Sequence, residues 1–157
     1  MIVVSNTSSI NYLVLIGQIH LLSDLFQQIM IPQAVYRELS DAAAPLSVQA
    51  WIADSPDWLI TQSVSQPSDE IVDRLDPGER EAILLAQAIH ADLLLLDDMK
   101  ARRVAAEKGL AVAGILGILD QAAMMQLLGL PAAVQSLQQT SFWVADRLLQ
   151  QLLDKHS

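Results

Sequence analysis

Short apolar segments alternate with helical segments along this chain, and this alternation limits its fold more than any other feature. The apolar segments are rich in branched aliphatic residues, as buried strands are. They are Met1–Ser5, Ile29–Ile31, Trp58–Thr61, Leu93–Leu96 and Leu110–Ala113. Strands that alternate with helices usually pair in parallel, with helices on both faces of the sheet. The sequence therefore predicts an α/β fold with a short central parallel sheet flanked by helices.

The clearest helix start is Asp76-Pro77-Gly78-Glu79, where Asp76 suits the N-cap, Pro77 the first helical position and Glu79 the third. The polar segment Ser63–Asp69 predicts a connection. The predicted helices are Ile10–Ile16, Leu21–Gln28, Gln33–Leu39, Ala43–Ala53, Pro77–His90, Lys100–Lys108, Ile115–Leu128, Pro131–Gln138 and Val144–Leu153. No repeat or Gly/Ser linker divides the chain. We therefore expect one domain over residues 1–157, with a helical C-terminal extension from about residue 115.

The composition is more apolar than that of an average soluble domain, at 52% hydrophobic and 17% charged residues. The longest apolar run, Gly109–Leu119, is far shorter than the roughly 20 residues of a membrane-spanning helix. No signal-peptide pattern opens the chain, and the absence of cysteine excludes disulfides and thiolate chemistry. We expect a cytoplasmic protein whose excess apolar residues serve an interface, in a homodimer or with a partner protein.

The net charge of −9 argues against an extended nucleic-acid-binding surface, because such surfaces use Lys and Arg to neutralise phosphates. It does not exclude a nuclease. Carboxylates that hold a divalent cation add negative charge themselves, and the bound ion reverses the local field.

Polar clusters follow two of the predicted strands. Ser5-Asn6-Thr7 comes after the first strand, and Asp97-Asp98 comes after the LLLL strand. In an open parallel sheet, ligands gather outside the carboxyl ends of the strands, where the strand order reverses. Glu38, with Glu79 or Glu81, lies on predicted helices that could flank the same edge. Such all-oxygen ligation suits Mg²⁺ or Mn²⁺, which can activate a water for attack on phosphorus.

Four segments in order resemble the PIN-domain superfamily. IVVSNTSSINYL resembles the first strand and turn of PIN domains, and IPQAVYREL resembles the helix that carries their second acid. DPGEREAILLAQAIHADLLLLDDMKARRVA is similar to the central block of a prokaryotic PIN-like family related to VapC-type toxins. AGILGILDQAAMMQLLGL, with SFWVADRLLQQLL, resembles the C-terminal helices of that family. The likeness covers nearly the whole chain, and the GERE…LLLDDMKARRVA block is its most specific part.

The resemblance implies a Mg²⁺- or Mn²⁺-dependent ribonuclease with three or four acids around the metal. By position, Asn6 stands where the first Asp usually is and Glu38 on the second acid. The third is Glu79, with Glu81 as the alternative, and the last is Asp97 or Asp98. These residues are the candidate catalytic and metal-binding set.

Nucleic-acid contact is expected from two nearby groups. Thr7 and Ser8 belong to the turn that orders the corner after the first strand, and Lys100, Arg102 and Arg103 form a small basic patch on the helix after Asp98. The patch could steer a phosphate backbone towards the site.

The departure at Asn6 leaves two main hypotheses. An amide offers one carbonyl oxygen to a metal but no negative charge, so metal affinity and water activation should fall. The first hypothesis is a metal-dependent endoribonuclease, with a toxin role and a small antitoxin-like partner implied by the resemblance. The second is a catalytically degenerate PIN-like binding or scaffolding module. A third, an α/β domain of the receiver type, normally has its acidic pair after the first strand, where Asn6 stands.

Each candidate also has a purely structural interpretation. Asn6 and Thr7 could satisfy a turn and cap the first helix, Glu79 could complete a capping box with Asp76, and either member of Asp97-Asp98 could cap the next helix.

For the others, Glu38 could pair with Arg37 or with solvent, Glu81 could face solvent, and Arg103 could pair with Glu107. The histidines lack ligand spacing and receive no role; they are His20, His90 and His156.

Overall fold

The computed structural model describes residues 1–157 and contains a five-stranded sheet in the order β3-β2-β1-β4-β5. Its strands are β1 (Val3–Ser5), β2 (Ile29–Pro32), β3 (Leu59–Gln62), β4 (Leu93–Leu95) and β5 (Val112–Ala113). Every neighbouring pair is parallel. The predicted α/β fold with a short parallel sheet is confirmed, and each strand overlaps its predicted segment.

The helices follow the predicted order with shifted ends. They are α1 (Thr7–Leu15), α2 (Leu21–Phe26), α3 (Gln33–Ser40), α4 (Leu46–Ala53), α5 (Glu70–Asp73), α6 (Pro77–Ala88), α7 (Met99–Glu107), α8 (Ile115–Met124), α9 (Leu130–Gln138) and α10 (Asp146–Lys155).

Two predicted boundaries were wrong for local reasons, and one short helix was not predicted. The first helix begins at Thr7 rather than Ile10, because Asn6 takes the extended N-cap conformation and three hydroxyl residues form the first turn. Helix α8 ends at Met124 rather than Leu128, and Gln126 adopts a left-handed φ of 58° just beyond it. The short α5 was not predicted; it is capped by Asp69, whose carboxylate accepts from the Val72 N–H at 2.9 Å.

Both faces of the sheet are covered, as the apolar strands predict. Val3 and Leu95 belong to the larger buried cluster, which includes α1 and all three C-terminal helices. Val4 and Leu94 belong to the second cluster, which is formed with α6 and α7. Because side chains alternate along a strand, neighbouring residues of β1 and β4 anchor opposite layers. No helix is long and apolar enough to cross a bilayer.

The centre of the sheet fixes the place of the candidate site. Strands β1 and β4 lie side by side, with Ser5 opposite Leu95, and the Asn6 N–H donates to the Leu95 carbonyl at 2.9 Å. From β1 the chain continues to β2 and β3 on one side, while β4 and β5 lie on the other. The carboxyl ends of β1 and β4 therefore form the point where strand order reverses, which is the usual ligand position in such sheets.

Candidate functional site

Asn6 lies at the end of β1 with an unsatisfied side-chain oxygen. The residue is 3% exposed, and its Oδ1 is the one buried side-chain N or O atom without a hydrogen-bond partner. Although Asn6 occupies the N-cap position of α1, its side chain makes no capping bond, so the capping interpretation does not account for it. A buried acceptor left unpaired costs roughly 1–3 kcal/mol. This oxygen is available to a ligand.

Glu38 connects the first turns of two helices. Its Oε1 accepts from the Thr7 hydroxyl of α1, and its Oε2 accepts from the Gly78 N–H of α6 at 2.9 Å. A Cβ built on Gly78 would lie 2.7 Å from Oε2 and closer still to Oε1, so only glycine admits this approach. Glu38 therefore pairs neither with Arg37 nor with solvent alone; it is held between α1 and α6.

Asp97 follows β4 and is held by the opposite side of α1. Its Oδ2 accepts from the Ser9 hydroxyl at 3.2 Å, and its Oδ1 accepts from the Ile115 N–H at the start of α8 at 2.8 Å. Burial raises the pKa of Asp97, and these two hydrogen bonds and the Arg102 charge only partly oppose that rise. Thr7 and Ser9 are two residues apart, about 200° around a helix, so they reach carboxylates on opposite sides.

Two residues that lie close to Asp97, Ser9 and Gly114, were not predicted to belong to the site. Ser9 was not singled out, although its spacing from Thr7 places a second hydroxyl in the same helical turn. Gly114 was also missed; a Cβ there would lie 2.5 Å from Asp97 Oδ1. Neither signal identifies its distant partner without the fold.

Asp98 has the capping role that one member of the acidic pair was expected to take. It is the N-cap of α7, and its Oδ2 accepts from the Ala101 N–H at 2.9 Å. Asp97 is the member that turns towards α1 and α8.

Glu79 is nearly buried, at 9% exposure, in the first turn of α6. The Asp76 carboxylate accepts from the Glu79 N–H at 2.8 Å, as in the predicted cap. Burial, followed by the negative charges of Asp76 and Asp98, raises the pKa of Glu79 from 4.5 to about 7. The Asp76 cap therefore accounts for the Glu79 N–H alone. The Glu79 carboxyl lies near other acids, in a buried position that disfavours its negative charge.

Glu81 faces a different neighbour. Its Oε1 accepts from the Ala34 N–H at 3.1 Å, and its Oε2 lies 3.6 Å from the Arg37 guanidinium. These bonds tie α6 to the first turn of α3. Of Glu79 and Glu81, the two candidates for the third acid, Glu79 is therefore the one near Asp97-Asp98, because the Asp98 charge raises its pKa.

The basic patch divides in the structure. Arg102 Nη1 would lie 3.3 Å from a Cβ on Gly114, and its charge acts on Asp97, so it borders the site. Lys100 and Arg103 are exposed, and no ion pair joins Arg103 to Glu107. Thr7 is committed to Glu38, whereas Ser8 is half-buried beside it.

The acids do not converge into one chelating cluster in this conformation. No group of three or more acidic or histidine side chains is close enough to hold an ion together. The donor chemistry nevertheless fits a hard divalent cation, because the unpaired oxygen of Asn6 and the carboxyls of Glu79 and Asp97 are all oxygen donors. The raised pKa values of both carboxyls indicate negative charge that their surroundings leave poorly compensated.

Comparisons with known proteins agree with the architecture. A family model described as a PIN domain, DUF3368, matches residues 2–157. A PilT N-terminus domain protein from the hyperthermophilic archaeon Sulfolobus solfataricus P2 has a similar structure, with a TM-score of 0.55 and 17% sequence identity. The match covers 92% of this chain and 100% of that chain, and at this identity it shows the fold alone. No curated protein matches the sequence.

Proposed function

Since the chain belongs to the PIN-domain family DUF3368, whose fold is of the nuclease type, we propose that it is a Mg²⁺- or Mn²⁺-dependent endoribonuclease. The observation that carries this proposal is the unpaired, buried Oδ1 of Asn6 at the strand-order reversal, where Asp97 leaves the neighbouring strand. A bound cation would pair this buried oxygen and would also stabilise the charges of the Glu79 and Asp97 carboxyls, whose pKa values are raised.

Three residues would hold the cation: Asn6 through its amide oxygen, and Glu79 and Asp97 through carboxylates. A bound Mg²⁺ or Mn²⁺ supplies Lewis-acid polarisation and lowers the pKa of a nucleophilic water. Glu38, held by Thr7 and Gly78, fixes the spacing of α1 and α6 around these donors.

The raised pKa of Glu79, about 7 in the metal-free protein, also supports its role as a ligand. Burial and the Asp76 and Asp98 charges disfavour its negative charge, and a bound divalent cation would stabilise that charge and lower the pKa.

A second candidate function rests on Asn6 itself. With an amide in place of an acid, and with both Glu38 and Asp97 occupied by N–H and O–H donors, the site has little anionic oxygen left to share. This favours a catalytically degenerate PIN-like module that binds or scaffolds without cleaving.

The test is RNA cleavage in Mn²⁺, in Mg²⁺ and in EDTA, with wild type, Asp97→Asn and Asn6→Asp. The matched control is Glu107→Gln, which removes an exposed carboxylate from α7. Metal-dependent cleavage that Asp97→Asn abolishes and Glu107→Gln retains supports the nuclease. Cleavage only by Asn6→Asp supports the degenerate module, and equal cleavage by wild type and Asp97→Asn excludes this site.

We extend the proposal to the cellular role that the PIN likeness suggests: a cytoplasmic homodimer, acting as the toxin of a toxin–antitoxin pair with a small antitoxin-like partner. Exposed apolar side chains support an interface; Met1, Met124 and Met125 are 78%, 60% and 52% exposed. Sedimentation equilibrium tests the dimer, and expression of wild type beside Asp97→Asn tests whether the activity of the site arrests growth.

A further inference from the structure

A groove of about 480 Å³ opens beside the candidate site. Asp97 and Arg102 line it together with an apolar wall that includes Met99, Trp143 and Leu148. These three apolar side chains are 67%, 84% and 40% exposed. The groove thus places a large uncovered apolar surface next to the acid at the end of β4.

Trp143 projects from an anchored segment. Its neighbours Phe142 and Val144 both pack on the larger core cluster, and Phe142 meets Tyr12 edge to face with ring centroids 5.1 Å apart. The Tyr12 hydroxyl lies 2.9 Å from Ser141 Oγ, which holds the same segment against α1. Core packing therefore accounts for the residues on either side of Trp143 and leaves its own ring exposed.

The wall chemistry favours one kind of occupant. An aromatic face stacks on any nucleobase, and a guanidinium beside it binds phosphate. Stacking does not depend on net charge, so it suits a protein of charge −9 that lacks a broad phosphate-binding surface. A second copy of the chain would have to bury the opposite charges of Asp97 and Arg102 at this groove, which is costly unless both find partners.

We propose that Trp143 stacks a base of single-stranded RNA in this groove while Arg102 contacts a neighbouring phosphate, which brings the strand to Asp97. The substrate class rests on the proposed ribonuclease function; the subsite rests on the exposed ring, the guanidinium and the shared groove. Trp143 is a binding residue in this arrangement and takes no part in the chemistry.

The probe is a fluorescein-labelled oligoadenylate RNA of about 12 nucleotides, within the length that one single-strand site covers. Its anisotropy is measured with the full chain in EDTA, so that binding is read without turnover. Trp143→Leu should weaken the Kd about 5- to 150-fold, the range of one base–aromatic stack. Trp143→Phe, which keeps an aromatic face, should stay within about threefold of wild type, and Leu46→Ala, at an 82% exposed leucine on α4, should not change it.

Two further readouts separate stacking from a general loss of structure. Arg102→Gln should reduce the slope of log Kd against log salt by about 0.7, the contribution of one single-strand phosphate. In the Mn²⁺ cleavage assay, Trp143→Leu should raise KM by the same factor as Kd and leave kcat unchanged.

Several results would overturn the subsite. One is an unchanged Kd in Trp143→Leu; if wild type still cleaves RNA, the proposed function then stands without it. Another is wild-type protein that does not bind the probe at all. A third is a Trp143→Leu variant that turns from dimer to monomer with RNA affinity intact, which would assign the surface to contact between copies. Conversely, Trp143-dependent binding without metal-dependent cleavage retains the subsite and refutes the nuclease.

Discussion

Replacing Glu79 with glutamine changes how stability depends on pH, and the structure supplies the magnitude. The carboxyl titrates near 4.5 in an unfolded chain and at about 7 in the folded one, because of its burial and the nearby charges of Asp76 and Asp98. Between these values the folded state binds more protons than the unfolded state. The free energy of unfolding therefore falls as pH rises through this window.

The fall is complete above the folded pKa and absent below the unfolded one. The interval from 4.5 to about 7, at about 1.4 kcal/mol for each pH unit, gives at most about 3 kcal/mol lost by pH 8, because Glu79 shares part of this titration with its acidic neighbours. Glu79→Gln cannot ionise, so it removes this loss. Its stability relative to wild type should rise by up to about 3 kcal/mol between about pH 4.5 and about pH 8.

The assay is urea unfolding followed by tryptophan fluorescence in EDTA, from about pH 5 to about pH 8, with Glu107→Gln as the exposed control. A residual slope should remain in Glu79→Gln, because burial also raises the pKa of Asp97. If Glu79→Gln and wild type lose stability in parallel as pH rises, the burial and charge argument for Glu79 is refuted.

Three further predictions follow from contacts of single side chains. Gly78→Ala should lower the free energy of unfolding by about 0.5–1.5 kcal/mol, because its Cβ would displace the Glu38 carboxylate and break the hydrogen bond from the Gly78 N–H. Gly117→Ala, where the nearest atom to a Cβ lies 3.6 Å away, should not lower it in the same urea titration. Asp98→Ala should cost about 0.5–2 kcal/mol by removing the α7 cap, and Asp98→Asn should recover most of that loss; equal losses in the two variants would show that the charge rather than the cap matters. Asp120→Asn removes the ion pairs of Asp120 with Lys155 and His156 and should lower the free energy of unfolding by at most about 1 kcal/mol at pH 7. Because these partners lower the pKa of Asp120, this loss of stability should disappear as pH falls through that lowered pKa. A loss that grows in acid would contradict the prediction.

The fold was predictable because its signals are local. The apolar run Leu93–Leu96, which contains β4, ends at Asp97, and Asp76-Pro77 marks a helix start whatever the rest of the chain does. The end of the chain was less predictable: Val144 suits a helix by its pattern, yet it packs on the core in an irregular segment, and α10 begins only at Asp146.

The sequence predicts a set of candidate site residues but not how they are arranged. Glu79 and Glu81 lie about 200° apart around one helix, so the choice between them depends on how α6 is rotated against the sheet. That rotation is set by packing of residues distant in sequence. The same holds for Ser9 and Asp97, which meet across 88 positions of the chain.

The shortness of β5 has a consequence for assembly. At two residues, this outermost strand offers too little free backbone for another chain to extend the sheet by pairing along it. At this edge, association between copies must then rely on side chains, whose fit can be specific and reversible, rather than on main-chain pairing. The short edge strand thus limits fibre-like growth from that edge of the sheet, even in a protein this rich in apolar residues, because few backbone groups there are free to pair.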